Sequence, residues 1–114
     1  MSINTSNSEH YTWGNNCDGW HFLKSDSLSI IREKMPPGTE ETPHFHGKAQ
    51  QFFFILSGVA TFVMDNKTET VSAHEGLHIP PGMKHQIRNN GTEELHFLVI
   101  SEPKAHGDRT NNDL

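Results

Sequence analysis

Short segments of strand-forming residues, each bounded by a turn, run through most of the chain and restrict its fold more than any other feature. The clearest turns are Pro36-Pro37-Gly38, Ser57-Gly58, Asp65-Asn66 and Asn89-Asn90-Gly91. Between such turns the sequence predicts about eight or nine strands. The main ones are residues 20–23, 28–35, 51–56, 59–64, 67–71, 76–79, 85–88 and 94–101. Short strands at this spacing predict an all-β barrel or sandwich.

The length and composition correspond to one small domain. The 114 residues leave room for a single hydrophobic core, and only 32% of them are apolar. We predict a polar lead-in at residues 1–9, a barrel domain at residues 10–102 and a polar C-terminal arm at residues 103–114. Residues 51–56 are apolar at both odd and even positions, which predicts burial of both strand faces. A core this small gains stability from a second copy, so we expect a homodimer.

Charge and residue usage argue against several classes of protein. The net charge is −5 and the Lys and Arg residues are scattered, so the basic stripe of a nucleic-acid binder is missing. No apolar run approaches the roughly 20 residues that cross a membrane, and the first residues lack the pattern of a signal peptide. The single cysteine, Cys17, cannot form an internal disulfide. We therefore expect a cytoplasmic protein that binds neither nucleic acid nor membrane.

Three histidines at two places in the chain have the spacing of a metal site. His44 and His46 are two residues apart in an extended segment, so their imidazoles point to the same strand face. His85 follows the turn Pro80-Pro81-Gly82, far along the chain. Imidazole nitrogen suits several divalent metals, and three neutral histidines often form the protein part of an open site. The pattern predicts one divalent metal at these residues, and a polar barrel mouth without metal is the alternative.

The other histidines show no comparable pattern. His74 falls in a predicted turn and His78 alternates with apolar neighbours, so both are expected at the surface. His96 lies in the last strand, where we expect a rim position or a satisfied place in the core. Surface positions are also expected for His10, His21 and His106.

The two histidine segments resemble the two sequence motifs of the cupin superfamily. The first comprises Gly38, His44-x-His46, Gln51 and Gly58, separated by gaps of five, four and six residues. The second comprises Pro80-Pro81-Gly82, His85 and Asn89, with gaps of two and three residues. The family's second motif begins with a glycine at the position of His74, with Gly76 two residues later in this chain. Residues 59–73 thus separate the motifs, a connection similar to that of single-domain bacterial cupins. The resemblance implies a double-stranded β-helix, a jelly-roll barrel with a pocket in its mouth.

Gln51 stands where the superfamily usually has a glutamate. The resemblance implies that one divalent ion (Ni, Zn, Mn or Fe) is held by the set His44, His46, Gln51 and His85. This set resembles that of small cupins that open the ring of unsaturated uronic sugars. A neutral amide leaves the ion its full charge, which favours Lewis-acid chemistry. Alternatively, Gln51 only hydrogen-bonds a ligand histidine. Gln50 points to the opposite strand face and is the weaker candidate.

Aromatic residues and the C-terminal arm are candidates for the rest of a pocket. Phe45, Phe53 and Phe62 are predicted either to wall a small cavity or to pack in the core. In the arm, Asp108 and Arg109 are expected either to cap the cavity, where the guanidinium could hold a substrate carboxylate, or to form a solvated charge pair.

Two classes of function fit these features. The first is a metal-dependent Lewis-acid enzyme that acts on a small oxygenated molecule, such as a sugar or sugar acid, by isomerisation, ring opening or lyase chemistry. The second is a module that binds or senses a small ligand without turnover. A metal-dependent dioxygenase is a further alternative. The motifs contain no unambiguous carboxylate that could act as the base of an enzyme.

Overall fold

The computed structural model describes residues 2–111, and strands joined by turns make up this part of the chain. The strands are β1 (Glu9–Trp13), β2 (Cys17–Lys24), β3 (Ser29–Met35), β4 (His44–His46), β5 (Gln50–Ser57), β6 (Val59–Met64), β7 (Lys67–Ser72), β8 (Gly76–Ile79), β9 (His85–Arg88), β10 (Leu95–Glu102) and β11 (Arg109–Asn111). Within residues 2–111, no helix is long and apolar enough to cross a membrane.

The strands form two antiparallel sheets. The larger sheet has the order β1-β2-β3-β10-β5-β8, and the smaller one has the order β11-β4-β9-β6-β7. Strands far apart in sequence are neighbours in both sheets, because β10 lies between β3 and β5, and β9 lies between β4 and β6. Two such sheets around one core form a jelly roll. The prediction of an all-β double-stranded β-helix is confirmed.

The inner faces of the two sheets enclose an apolar core that becomes polar towards one end of the barrel. Along β10 the inward side chains are Leu95, Phe97, Val99 and Ser101, all buried. Phe97 packs against Phe53, whose ring meets Phe62 of the other sheet edge-on at 5.0 Å between centroids. Truncating one buried phenylalanine to alanine costs about 3–5 kcal/mol, so this cluster is a main source of stability. Ser101 pairs with Gln51, and the barrel interior is polar from this point.

The outer face of β5 differs from the expectation. Residues 51–56 were predicted to be buried on both faces, but Phe52 is 41% exposed, and Phe54 and Leu56 are partly exposed. The prediction of burial on both faces is wrong because the six-stranded sheet has the core on one side only. Antiparallel sheets commonly expose one face in this way. The outer face of β5 is therefore an apolar surface.

The structure has more strands than the eight or nine predicted. The additional strands β1 and β11 are short. β11 is polar and exposed throughout, so it lacks the apolar alternation that marks a strand, whereas in β1 only Tyr11 and Trp13 alternate with polar residues. β1 begins at Glu9, next to the predicted start of the barrel domain. β11 lies within residues 103–114 and pairs with β4, bringing Arg109 opposite His46. The C-terminal arm thus returns to the strand that carries two of the candidate ligands.

Candidate metal centre

His44, His46 and His85 come together at the polar end of the barrel. His44 and His46 share the inward face of β4, and β9 pairs with β4 so that His85 lies opposite His44. Their side-chain ligand atoms all lie within 4.8 Å of one another. The three residues are 3%, 5% and 1% exposed. Three imidazoles converging in this way can hold a metal ion.

Backbone carbonyl oxygens fix the orientation of each ring. Nδ1 of His44 donates to the carbonyl of Thr42 at 2.9 Å, and Nδ1 of His85 donates to that of Met83 at 3.0 Å. Nδ1 of His46 donates to the carbonyl of Asp108 at 3.3 Å. Since a carbonyl oxygen only accepts, Nδ1 carries the proton in every ring and Nε2 keeps its lone pair. This is the arrangement that orients histidine ligands in metal sites.

Burial keeps the three imidazoles neutral. Desolvation lowers the pKa of His44 to about 3 and that of His85 to about 4. It also lowers the pKa of His46. Neutral imidazole is the form that binds a metal ion, so the cluster is ready to ligate at neutral pH without first losing protons.

Gln51 is buried at the same end of the barrel, with one half of its amide satisfied. Its Nε2 donates to Oγ of Ser101 at 3.0 Å, which fixes the direction of the amide. The opposite atom, Oε1, is buried and finds no hydrogen-bond partner among residues 2–111. The same holds for Nε2 of His46 and Nε2 of His85. Leaving a buried acceptor unpaired costs about 1–3 kcal/mol. A bound cation would pair with all three acceptors. A divalent ion fits these nitrogen and oxygen donors.

A cavity of about 660 Å³ opens next to these residues. This volume is within the usual range for sites that bind small molecules. His44, His46 and Gln51 lie in its wall together with residues from β1, β3 and the C-terminal arm. The lining carries four acidic side chains, of which Glu9 and Asp26 are exposed. The other two, Glu33 and Glu41, are partly buried, and sequence analysis did not single them out.

Glu33 and Glu41 are the two partly buried acids of this wall. Burial raises the pKa of Glu33 to about 7 and that of Glu41 to about 8. Oε2 of Glu33 accepts a hydrogen bond from the Tyr11 hydroxyl at 2.6 Å. Oε1 of Glu41 accepts from the backbone N–H of Ile87 at 3.2 Å and lies 3.9 Å from Nδ1 of His44. The sequence of β3 contained a signal for Glu33, because an acid two residues after Ile31 shares its inward strand face.

The C-terminal arm lines the cavity with residues 104–107 and Arg109, and Asp108 fixes the arm to the chain after β4. Oδ2 of Asp108 accepts the backbone N–H groups of Lys48 and Ala49 at 2.8 and 3.0 Å, which lower its pKa. Arg109 lies in the cavity wall, and its Nη2 donates to the carbonyl of Thr42 at 3.3 Å. Arg109 is therefore part of the cavity wall, whereas Asp108 holds backbone N–H groups, and each side chain has its own partners.

The remaining aromatic and histidine candidates are distributed differently from some expectations. Phe53 lines the cavity, whereas Phe62 is fully buried in the core. Phe45 lies between His44 and His46 on β4 and so projects from the opposite strand face, which excludes it from the wall. His21 lines the cavity, and the expectation of a surface position for it is wrong because it shares the strand face of the buried residues Cys17 and Gly19.

Other polar candidates lie outside the barrel interior. His74 and His78 are exposed as predicted, and Nε2 of His78 contacts Oε1 of Gln50 at 2.9 Å. Gln50 is exposed, on the face opposite Gln51. His96 is partly buried on the outside of β10, 3.3 Å from Nη2 of Arg32.

A jelly-roll barrel with histidines converging in its mouth defines a class of small barrel proteins with an internal site. Residues 31–101 match the family described as Cupin domain. The chain belongs to this family, which confirms the family predicted from the two motifs.

Proteins similar to this chain are named for diverse functions. Over 78 residues it is 32% identical to the polyketide synthase CurC of Streptomyces cyaneus, covering 68% of this chain and 48% of that protein. The chain thus spans about half the length of that relative. Over 85 residues it is 30% identical to the oxalate-binding protein of Thermotoga maritima, covering 70% of each. A sugar phosphate isomerase of the cupin superfamily from Silicibacter pomeroyi has a TM-score of 0.82 at 15% identity, covering 100% of this chain and 83% of that one. At this identity the structural likeness concerns the fold.

Proposed function

We propose that this cupin is a metal-dependent enzyme in which His44, His46, Gln51 and His85 hold one divalent ion. The carrying observation is the set of buried acceptors without partners: Nε2 of His46, Nε2 of His85 and Oε1 of Gln51. The hydrogen bond from Gln51 Nε2 to Ser101 turns the amide oxygen away from that serine, which favours a ligand role for it. Ni, Zn, Mn and Fe all suit these donors.

The charge of the donor set favours Lewis-acid chemistry. When bound, the ion would polarise a carbonyl or hydroxyl group or acidify a water molecule. The proposed ligands are neutral: three imidazoles with lowered pKa values and one amide. With no anionic ligand to offset extra charge, a higher oxidation state of the ion is less well stabilised. We therefore favour isomerisation, ring opening or lyase chemistry over an oxygen-using dioxygenase.

The cavity supports a small oxygenated substrate, such as a sugar or sugar acid. Phe53 and Val99 give the wall an apolar part that excludes water, and Arg109 places a positive charge in the same wall. A guanidinium can bind a carboxylate or phosphate through two parallel hydrogen bonds. The similar proteins named for sugar phosphate isomerisation, polyketide synthesis and oxalate binding agree with this substrate class.

Metal analysis of the purified protein tests the proposal. We expect one equivalent of metal in protein purified without a nickel column, and none after His46→Ala and His85→Ala are combined. The matched control combines His74→Ala and His78→Ala, which removes two exposed histidines and should leave the metal content unchanged. Equal metal in the wild type and the His46/His85 variant would refute the site. Metal-loaded protein is then screened on unsaturated uronates and sugar isomers with and without oxygen.

A second candidate is a non-catalytic module that binds a small acid. The relation to the oxalate-binding protein favours it, because that match covers 70% of both chains. Calorimetry with oxalate and other small carboxylic acids separates the two functions. Tight binding of an acid without turnover of any screened compound would favour the binding module, and turnover favours the enzyme.

We also propose that two copies of the chain associate as a homodimer. The outer face of the six-stranded sheet carries apolar side chains in adjacent positions, where Phe52 pairs with Ile100 and Phe54 pairs with Leu98. Phe52 is 41% exposed although it is a large aromatic residue. A closed two-fold dimer is the most common way to cover such a face.

A further inference from the structure

Tyr11, Gly19 and Glu33 form a row across the first three strands of the larger sheet. Tyr11 pairs with Gly19, and Gly19 pairs with Glu33, so the three residues lie side by side across β1, β2 and β3. Tyr11 and Glu33 both line the cavity that contains the histidines. A phenol on β1 and a carboxyl group on β3, with β2 between them, are thus held on the wall of the proposed site.

Gly19 makes the contact between these two groups possible. A Cβ atom at this position would lie 2.1 Å from Cζ of Tyr11, far inside van der Waals contact. The tyrosine ring therefore lies flat over the glycine backbone and reaches across β2. Its hydroxyl donates to Oε2 of Glu33 at 2.6 Å. The absence of a side chain at residue 19 is what allows the pair to form.

The hydrogen bond assigns different roles to the two oxygens of Glu33. Oε2 is occupied by the phenol, so Oε1 is the atom left to exchange a proton with a molecule in the cavity. Glu41, the other partly buried acid in this wall, is bound to the backbone N–H of Ile87 and lies close to His44. Its position is thus tied to β9 and to a proposed ligand. Glu33 is the acid better placed to react with a substrate.

We propose that Glu33 is the general acid–base residue of the site and that Tyr11 positions it. The inference rests on the proposed enzymatic function. As a carboxylate, Glu33 takes the proton from a carbon next to a carbonyl group of the substrate, and the electron pair of the broken C–H bond moves into that carbonyl to give an enolate. The carboxylic acid formed on Glu33 then returns the same proton to another atom of the substrate. The net reaction is an isomerisation that consumes no oxidant, reductant or co-reactant.

The electrostatic surroundings of Glu33 agree with this role. Its charged and hydrogen-bonding neighbours are Tyr11 on β1, Glu41 before β4 and Arg109 on β11, and the titratable side chains His21 and His44 lie in the same cavity wall. Burial raises the pKa of Glu33 to about 7, while the Tyr11 hydrogen bond and the charge of Arg109 act in the opposite direction. A general base works best when its pKa is close to the working pH. The pKa of Tyr11 is raised mainly by burial, so the phenol remains a donor throughout the neutral range.

Carboxyl titration by ¹³C NMR tests the environment of Glu33 without a substrate. In metal-loaded protein labelled at glutamate, we expect both Glu33 and Glu41 to titrate above the ordinary value of about 4.3. The midpoint of Glu33 is assigned by its loss in Glu33→Gln. Tyr11→Phe removes a hydrogen bond that stabilises the carboxylate, so the midpoint should move to higher pH. A wild-type midpoint at or below the ordinary value, or no movement in Tyr11→Phe, would overturn the proposal.

Exchange of substrate hydrogen with D₂O tests the proton transfer itself. The probes are dihydroxyacetone, glyceraldehyde, an aldose phosphate and an unsaturated uronate. Metal-loaded wild-type protein should introduce deuterium into at least one of them. In Glu33→Gln the rate should fall by at least about 100-fold, the lower limit for loss of a general base. No exchange by loaded wild-type protein, or undiminished exchange by Glu33→Gln, contradicts the role of Glu33.

Two further variants separate catalysis from a purely structural contact. Gly19→Ala keeps both Tyr11 and Glu33 in the sequence, but the added methyl group displaces the tyrosine ring. It should therefore shift the pH–rate profile to higher pH, as Tyr11→Phe should. Glu93→Gln removes an exposed acid outside the cavity wall and should change neither the rate nor the profile. A contact that only joins strands would alter the melting temperature and leave the profile in place. Wild-type protein that binds no metal would refute the proposed function. A Glu33→Gln variant that binds metal and keeps wild-type activity would refute only this inference.

Discussion

At the scale of single residues, one hydrogen bond fixes the orientation of each imidazole and of the Gln51 amide, and so decides which atom is left to bind a ligand. The three Nδ1 atoms are bound to carbonyls of Thr42, Asp108 and Met83, so the three Nε2 atoms are the free ligand atoms. The amide of Gln51 follows the same rule, because its NH₂ group donates to Ser101 and its oxygen remains. The polar end of the barrel is thus a set of acceptors, and acceptors alone cannot satisfy one another.

The substitution Gln51→Glu separates a ligand role from an indirect one. If Oε1 binds the ion, the added negative charge should tighten metal binding by about tenfold or more, or about 1.4 kcal/mol. It should also lower the Lewis acidity, so that non-redox turnover falls. Competition with a chelator measures the affinity. The matched control is Gln50→Glu, which adds the same charge one residue away on the exposed face. Equal affinity for both variants would contradict the ligand role of Gln51.

At the scale of strands, the pairing of β11 with β4 connects the end of the chain to the metal centre. Asp108 contributes twice, since its carboxylate accepts two N–H groups after β4 and its carbonyl accepts from His46. The arm is short and exposed, so these contacts help the pairing of β11 with β4 to hold it at the cavity. Orientation of a ligand therefore depends on residues outside the two motifs.

Asp108→Ala should weaken metal binding although the residue is not a ligand. Loss of the two hydrogen bonds frees the arm and with it the carbonyl that orients His46. Changes of this kind typically cost 10- to 100-fold in affinity, and we expect about tenfold. Asp108→Asn keeps an oxygen acceptor and should retain most of the affinity. Asp26→Ala, which removes the exposed partner of Lys104, serves as the control. Chelator competition showing wild-type affinity for Asp108→Ala would contradict the coupling.

The elements also show which parts of the site the sequence could predict. The convergence of His44 and His46 follows from the two-residue period of a strand, and turn residues delimited most of the strands around them. The Tyr11–Glu33 contact was not predictable, because it depends on the register of β1, β2 and β3 and on a glycine between them. The exposure of Phe52 on the outer face of the sheet was also not predicted. An apolar residue in a strand does not tell which face the core covers.

At the scale of the whole molecule, the apolar side chains are divided between two places. One group fills the core between the sheets, and another lies on the outer face of the six-stranded sheet around Phe52 and Phe54. With only 32% apolar residues, a chain that leaves some of them on one face gains by burying that face in a partner. Stable dimers bury about 1,200 Å² or more in total, an area that an extended sheet face can supply. The cavity lies on the inner side of this sheet, so the proposed interface leaves it open.

Light scattering at micromolar concentration tests the dimer and its interface. We expect a mass near twice the 12.9 kDa of one chain, and a shift towards 12.9 kDa for Phe52→Lys, because a buried unpaired ammonium opposes association. Val59→Lys is the matched control, since Val59 is similarly exposed, at 42%, but belongs to the five-stranded sheet. That variant should remain dimeric. A monomeric wild type would reject the dimer, and dissociation by Val59→Lys alone would place the interface on the other sheet. Metal content measured on the same samples should be equal in all three proteins, since both substitutions lie outside the cavity wall.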